Sequence, residues 1–213
     1  MSEIIYQGAM EAILKGDSDK AVDAAKKGID TGMDPLDLMN NGFIPGINQV
    51  GDLFETGRLF LPQLVMSATA MEKATEIINA AIPDGKGTVS GKVLVGTVEG
   101  DVHDIGKTIV VALFKANGFD VLDIGRDVPI DRFIDEAEKF GADIIGSSTL
   151  LTTTMAVQKQ IEVELKKAGI RDKYKTLVGG APVTQRWADR IGADAYAQDA
   201  GDGVRKVKEL LAG

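Results

Sequence analysis

Cysteine is absent from this 213-residue chain and histidine occurs once, as His103. Without cysteine there is no disulfide framework, no thiolate metal site, no iron–sulfur cluster and no cysteine nucleophile. A lone histidine cannot build a multi-histidine metal centre. Positive charge is also scarce, with 24 Lys+Arg against 32 Asp+Glu and a formal net charge of −8. Phosphate binding draws on clustered Lys/Arg, and no such stripe is visible, so nucleic acid is not an expected partner. No apolar run approaches the roughly 18 residues that span a bilayer. The first ten residues, MSEIIYQGAM, lack the basic flank and apolar stretch of a signal peptide. The expectation is a soluble cytoplasmic protein with no membrane partner.

What is present is an ordinary globular composition, 44% hydrophobic and 26% charged. The length suits one large domain or two of about 80 to 130 residues. Pro83, Gly85, Gly87 and Gly91 form the strongest break, between segments of different hydrophobic period. The expected organisation is a helical domain over 1–84, a linker over 85–91 and a second domain over 92–213. Residues 1–84 hold 13 acidic and 6 basic groups, so nearly all of the excess charge lies on the first domain.

In the first domain the apolar spacing is helical. Ile4, Ile5, Met10, Ile13 and Leu14 precede Gly16, and Ala21, Val22, Ala24, Ala25 and Ile29 precede Gly32. Asp17 and Ser18 are candidate caps of the second helix. Pro35, Pro45 and Pro62 are each suited to a first helical turn, the last two helices running to about Glu55 and Ala80. This is a small helical bundle. Beyond the linker, short apolar runs at Val93–Thr97, Val121–Ile124, Ile144–Ser147, Leu177–Val178 and Ala195–Tyr196 read as strands. They alternate with helical patterns near 105–117, 131–140, 153–168, 184–191 and 201–211. Five βα units predict an α/β fold with a doubly wound, five-stranded parallel sheet of flavodoxin-like (Rossmann-like) order. Such a sheet receives its ligand at the carboxyl ends of the strands.

The loop after the first strand reads Glu99-Gly100-Asp101-Val102-His103-Asp104-Ile105-Gly106-Lys107 and holds the only histidine. Two readings of His103 stand at this point. It is a surface imidazole between solvated carboxylates, or a metal ligand oriented by Asp101, because ligating imidazoles usually donate their second N–H to a carboxylate. With no second His or Cys nearby, a metal would have to arrive already chelated. Further along, 41 residues separate Gly106 from Ser148-Thr149-Leu150, and 28 separate Leu150 from Gly179-Gly180.

Asp101-x-His103-x-x-Gly106, Ser148-x-Leu150 and Gly179-Gly180, in this register, resemble the signature of the cobalamin-binding domains of methionine synthase, methylmalonyl-CoA mutase and the corrinoid methyl-carrier proteins. Asp52-Leu53-Phe54-Glu55 and Gly57-Arg58-Leu59-Phe60-Leu61-Pro62-Gln63 resemble the helical cap of the methionine-synthase branch, which mutase-type domains lack. The resemblance implies a cobalamin cofactor (methylcobalamin or another cobalt corrinoid), held with its own base displaced and His103 as lower axial ligand. Gly100, Asp101, Val102, Asp104, Ile105 and Gly106 would then belong to the cofactor loop, and Gly106, Ser148, Gly179 and Gly180 to the slot for the nucleotide tail. It further implies that Ser148 contacts the buried base, that Leu150 and Thr152 lie beside the ring, and that Phe54 and Leu61 shield the methyl group. Asp101 would couple a proton on His103 to the cobalt state, with Thr154 in the place of a serine that extends this relay.

A TIM barrel needs about 200 residues or more, so no methyl-donor or acceptor domain of that type fits beside the sheet. The resemblance therefore points to a carrier subunit of a multi-component methyltransferase of the methylamine, betaine or methoxyaromatic demethylation type. Its expected partners are a substrate-specific methyltransferase, a methylcorrinoid:tetrahydrofolate or methylcorrinoid:coenzyme M methyltransferase, and a reductive activase. Two other classes are a cobalamin-dependent sensor, for which an output domain is missing, and a plain flavin or nucleotide binder, which would lack the red to orange colour of a corrinoid.

Overall fold

Glycine and capping residues set the helices of the amino-terminal part. The computed structural model describes residues 2–82 and 91–212, so the expected linker lies outside the described residues apart from Gly91. Helix α1 (Ser2–Leu14) is followed by Gly16 at φ +63°, where a Cβ would stand 2.6 Å from the Cβ of Met66. Glycine there permits both the left-handed turn and the close approach of a later helix. Helix α2 (Ser18–Asp30) is capped by Asp17, whose carboxylate accepts the Lys20 N–H at 3.1 Å. Ser18, a candidate cap from sequence, is instead the first helical residue.

Pro45 lies in the first turn of a helix that runs to Glu55, as expected, but that helix continues directly from the one before it. Helix α3 (Pro35–Leu38), a π-helical turn (Met39–Phe43) and helix α4 (Ile44–Glu55) follow one another without a break. Proline inside a helix removes an N–H and crowds the preceding turn. Here the turn widens ahead of it, the Ile44 N–H reaching back to the Met39 carbonyl. Helix α5 (Leu61–Ala80) has Pro62 in its first turn and begins with the Phe60 N–H donating to Gln63 Oε1 at 3.0 Å.

In the second part the strands are β1 (Lys92–Thr97), β2 (Asp120–Asp123), β3 (Ile144–Ser148), β4 (Lys175–Gly179) and β5 (Ala195–Ala197). All four neighbouring pairs are parallel, in the order β2-β1-β3-β4-β5. This is the expected flavodoxin-like arrangement. Helices α6 (Ile105–Ala116), α7 (Ile130–Phe140), α8 (Met155–Lys167), α9 (Gln185–Ile191) and α10 (Ala200–Ala212) alternate with the strands. Burial along β1 is almost continuous, as befits a strand covered on both faces. Leu94 and Ile145 pack with Phe133 and Ala137 of α7 and Ile161 and Leu165 of α8, whereas Val178 packs with Ala188 and Ile191 of α9. The described residues form two compact units, 2–82 with Ala112–Gly118 and 91–111 with 119–212.

Two features of the sheet place the site. The chain leaves β1 for β2 on one side and returns to β3 on the other, so the carboxyl ends of β1 and β3 flank the switch point where ligands bind. Register sets Thr97, Ser148, Gly179 and Ala197 side by side across that edge.

The opposite edge is held by Arg171, in a 3₁₀ turn (Arg171–Lys173). Its guanidinium donates to Glu162 at 2.5 Å, to Asp194 at 2.8 Å and to the carbonyls of Tyr174 and Gly192, both at 3.0 Å. The Glu162 side chain is only 2% exposed. Removing one partner of a buried pair strands the other charge at a cost of about 3–5 kcal/mol. Arg171→Leu is expected to lower the unfolding free energy in urea by that amount, and a loss below about 1 kcal/mol, the worth of a surface pair, would make the network incidental.

Candidate functional site

The loop between β1 and α6 is built around one buried carboxylate. Asp101 is fully buried. Its backbone is fixed from both sides, the Asp101 N–H donating to the Val98 carbonyl at 3.1 Å and the Asp127 N–H to the Asp101 carbonyl at 2.9 Å. Asp127 holds the turn again by accepting the Gly100 N–H on Oδ1 at 2.7 Å, and does so with φ at +52°.

The two carboxylate oxygens of Asp101 serve different loops. Oδ1 accepts the His103 N–H at 3.0 Å and pairs with His103 Nδ1 at 2.7 Å. Oδ2 accepts the N–H groups of Leu150 at 2.6 Å and Leu151 at 3.2 Å, and lies 3.2 and 3.3 Å from the hydroxyls of Thr149 and Thr154. Burial alone would push the carboxyl pKa up. The N–H groups of His103 and Leu150, the His103 ring and the Leu151 N–H outweigh it and hold Asp101 well below the usual carboxylate range.

An ionised Asp101 accepts only, so the proton of a neutral imidazole sits on Nδ1 and the lone pair on Nε2. The ring is half exposed, at 49%. Thr97 fixes the loop behind it, donating its hydroxyl to the His103 carbonyl at 3.1 Å. Four large apolar side chains of the same segments, Val102, Ile105, Leu150 and Leu151, are exposed, Ile105 to 74%. Val102 lies on the β1–α6 loop, Ile105 opens α6, and Leu150 and Leu151 lie on the β3–α8 loop; Asp101 ties the two loops together.

Other expected site residues fall as follows. Asp104 begins α6 by accepting the Thr108 N–H on its carbonyl at 2.8 Å, and its side chain makes only a loose 3.9 Å pair with Arg126. Gly106 lies exposed in the first turn of α6, with nothing within 4 Å of where a Cβ would be. Ser148 and Gly179 are register neighbours. Gly180, at φ +119°, is fixed by the protein itself, since a Cβ there would stand 1.8 Å from the Thr149 carbonyl oxygen. Thr152 is exposed on the β3–α8 loop. Phe54, in α4, and Leu61, opening α5, are half-buried residues of the first unit.

Sequence reasoning missed Thr149 and the backbone donors of Leu150 and Leu151. Thr149 lies inside the Ser148-x-Leu150 motif at the position passed over, and its hydroxyl was the available signal. Backbone N–H groups leave none. Lys107, buried at the start of α6 and paired with Asp123 of β2, was also missed.

Asp101→Asn would turn an N–H₂ toward donors that need an acceptor. The cofactor-free variant is expected to lose at least the roughly 1.5–3 kcal/mol typical of hydrogen bonds to a charged group, read as a lower urea midpoint. A depressed folded pKa makes this stabilisation complete above the ordinary Asp value near 3.9 and erodes it as pH falls. Asp101→Asn should therefore flatten the acid limb of the stability curve. An unchanged limb would show that Asp101 is not the group responsible.

The B12 binding domain family matches residues 91–207, and a second B12 binding domain family matches residues 5–79. Dimethylamine corrinoid protein 1 of Methanosarcina mazei is 47% identical over 99% of this chain and 98% of its own length. Trimethylamine corrinoid protein 1 of Methanosarcina acetivorans is 47% identical over 98% of both. Among solved structures, a chain of the methanol:cobalamin methyltransferase complex MtaBC of Methanosarcina barkeri is 33% identical, with a TM-score of 0.85 over 99% of this chain and 81% of that one. Among the described residues no cluster of three or more His, Asp or Glu side chains could hold a bare metal ion, and no helix is long and apolar enough to cross a membrane. Matched over both of its parts and along almost its whole length, the chain belongs to the B12-binding corrinoid proteins.

Proposed function

We propose that this protein carries a methyl group on the cobalt of a corrinoid, His103 serving as the lower axial ligand, between a methylamine-specific methyltransferase and a second methyltransferase that delivers the group to an acceptor. We place this exchange in the cytoplasm, with a reductive activase as a third partner. The observation that carries the reading is the half-exposed imidazole whose Nδ1 is bound by a buried carboxylate, leaving Nε2 to coordinate at the switch point of the sheet. The corrinoid supplies the metal that accepts and releases the methyl group.

The residues present fit such a group. One ring nitrogen is enough where the macrocycle brings four others. Asp101 fixes the tautomer and raises the basicity of Nε2. Val102, Ile105, Leu150 and Leu151 offer exposed apolar side chains to the rim of a large flat molecule, which otherwise would face water. Gly106 leaves space at the start of α6, and Ser148 with a small side chain and Gly179 with none end β3 and β4. The full-length similarity to dimethylamine and trimethylamine corrinoid proteins favours methylamines as donors and a carrier over a sensor.

The test is reconstitution. Purified protein loaded with cobalamin in the cobalt(I) state is expected to leave dimethylamine and trimethylamine intact by itself. With a methylamine-specific methyltransferase, an acceptor methyltransferase and a reductive activase it should support many turnovers when supplied in catalytic amounts. Demethylation without any added enzyme, or failure to retain one cobalamin per chain, would overturn the proposal.

A further inference from the structure

Asp101 has more hydroxyl neighbours than it can use. Thr149 and Thr154 are both buried, and their Oγ1 atoms are 2.6 Å apart, so one hydroxyl donates to the other. One proton remains for two acceptors that either threonine can reach. These are Asp101 Oδ2, at 3.2 Å from Thr149 and 3.3 Å from Thr154, and the Leu151 carbonyl, at 3.2 and 3.0 Å. The pair therefore supplies Asp101 with one hydroxyl proton or none, and the two side chains act as a unit.

Thr149 is also the member whose position is dictated from elsewhere. Its N–H donates to the Gly179 carbonyl at 3.2 Å. Gly180 lies against its backbone so closely that a Cβ would fall 2.9 Å from the Thr149 nitrogen as well as 1.8 Å from its oxygen. Gln158, itself buried, fastens the same corner, donating Nε2 to the carbonyls of Ser147 at 3.0 Å and Gly179 at 3.2 Å while accepting the Trp187 indole N–H at 3.1 Å. The end of β4 thus fixes where the Thr149 hydroxyl stands, 48 residues along the chain from the carboxylate it reaches.

From this geometry we infer that Thr149 is a positioning residue for His103, acting through Asp101, and that Gly180 serves to seat it. The resemblance assigns the third place of the relay to Thr154 alone, and the double glycine to the cofactor tail. A hydroxyl donating to Oδ2 draws charge from the carboxylate and weakens its hold on Nδ1–H; without it, Asp101 pulls harder and Nε2 becomes the stronger donor. That the change reaches cobalt rests on the proposed ligation by His103. That it reaches the imidazole does not.

Because the chain has a single histidine, one pair of ring nitrogen resonances reports the contact in the cofactor-free, full-length protein. At a fixed pH where the imidazole is neutral, the double variant Thr149→Val with Thr154→Val, which leaves Oδ2 no hydroxyl, is expected to move the ¹⁵N signal of Nδ1 downfield. Thr149→Ser beside Thr154→Val should return it. Gly180→Ala, just beyond β4, should move the same signal in the Thr154→Val background because it displaces the one remaining hydroxyl. In the cobalamin-loaded protein the double variant should make the cobalt(II)/cobalt(I) midpoint potential more negative, again with rescue by serine at 149. If the valine variants do not fold, alanine at both positions serves as the hydroxyl-free variant, having no bulk to misfit. Ring resonances of Thr154→Val that already equal those of the double variant would show that Thr149 supplies no proton and would overturn the inference. A moved resonance with an unmoved potential would uphold Thr149's role and count against His103 as the ligand.

Discussion

A carboxylate removed from water must recover its lost hydration from the protein, and Asp101 does so with donors drawn from two loops. The His103 N–H and ring come from the loop after β1, while Leu150, Leu151 and the threonine hydroxyls come from the loop after β3. These are the two strands that flank the switch point. If the carboxylate were protonated or removed, the loops would lose their common acceptor and the imidazole its orientation. The site is therefore a consequence of satisfying one buried charge.

Much of the architecture was legible because its signals are local. Gly16 at a helix end, Asp17 at a helix start and the alternation of apolar runs with amphipathic stretches each depend on a few neighbouring residues. The continuous α3–π–α4 run was not legible, because Pro45 carries the same signal at a helix start as it does just beyond a widened turn. Arg171 shows the other limit. Its partners Glu162 and Asp194 are 9 and 23 residues away, and nothing in their spacing distinguishes a buried network from three solvated charges.

The candidate site divides in the same way. Asp101 and His103 are two residues apart and could be paired from sequence alone, since a carboxylate beside a lone imidazole on a strand-end loop has a defined chemistry. Thr149 could not be added to them, because its nearness to Asp101 is created by the parallel pairing of β1 with β3. Gly180 illustrates how one residue type hides two causes. Read in the sequence, a double glycine suggests space for a ligand; in the fold, the second glycine is required by the Thr149 backbone pressed against it.

The central claim is that the chain's one imidazole, held by Asp101, is the ligand beneath the cobalt. Labelling the protein with ¹⁵N only in histidine marks a single ring, and the electron paramagnetic resonance spectrum of the cobalamin-loaded protein in the cobalt(II) state then identifies the axial nitrogen. The account predicts that each cobalt hyperfine line splits into the doublet of one ¹⁵N nucleus. A triplet from ¹⁴N, as the benzimidazole of the cofactor would give, or the absence of nitrogen splitting, would contradict it.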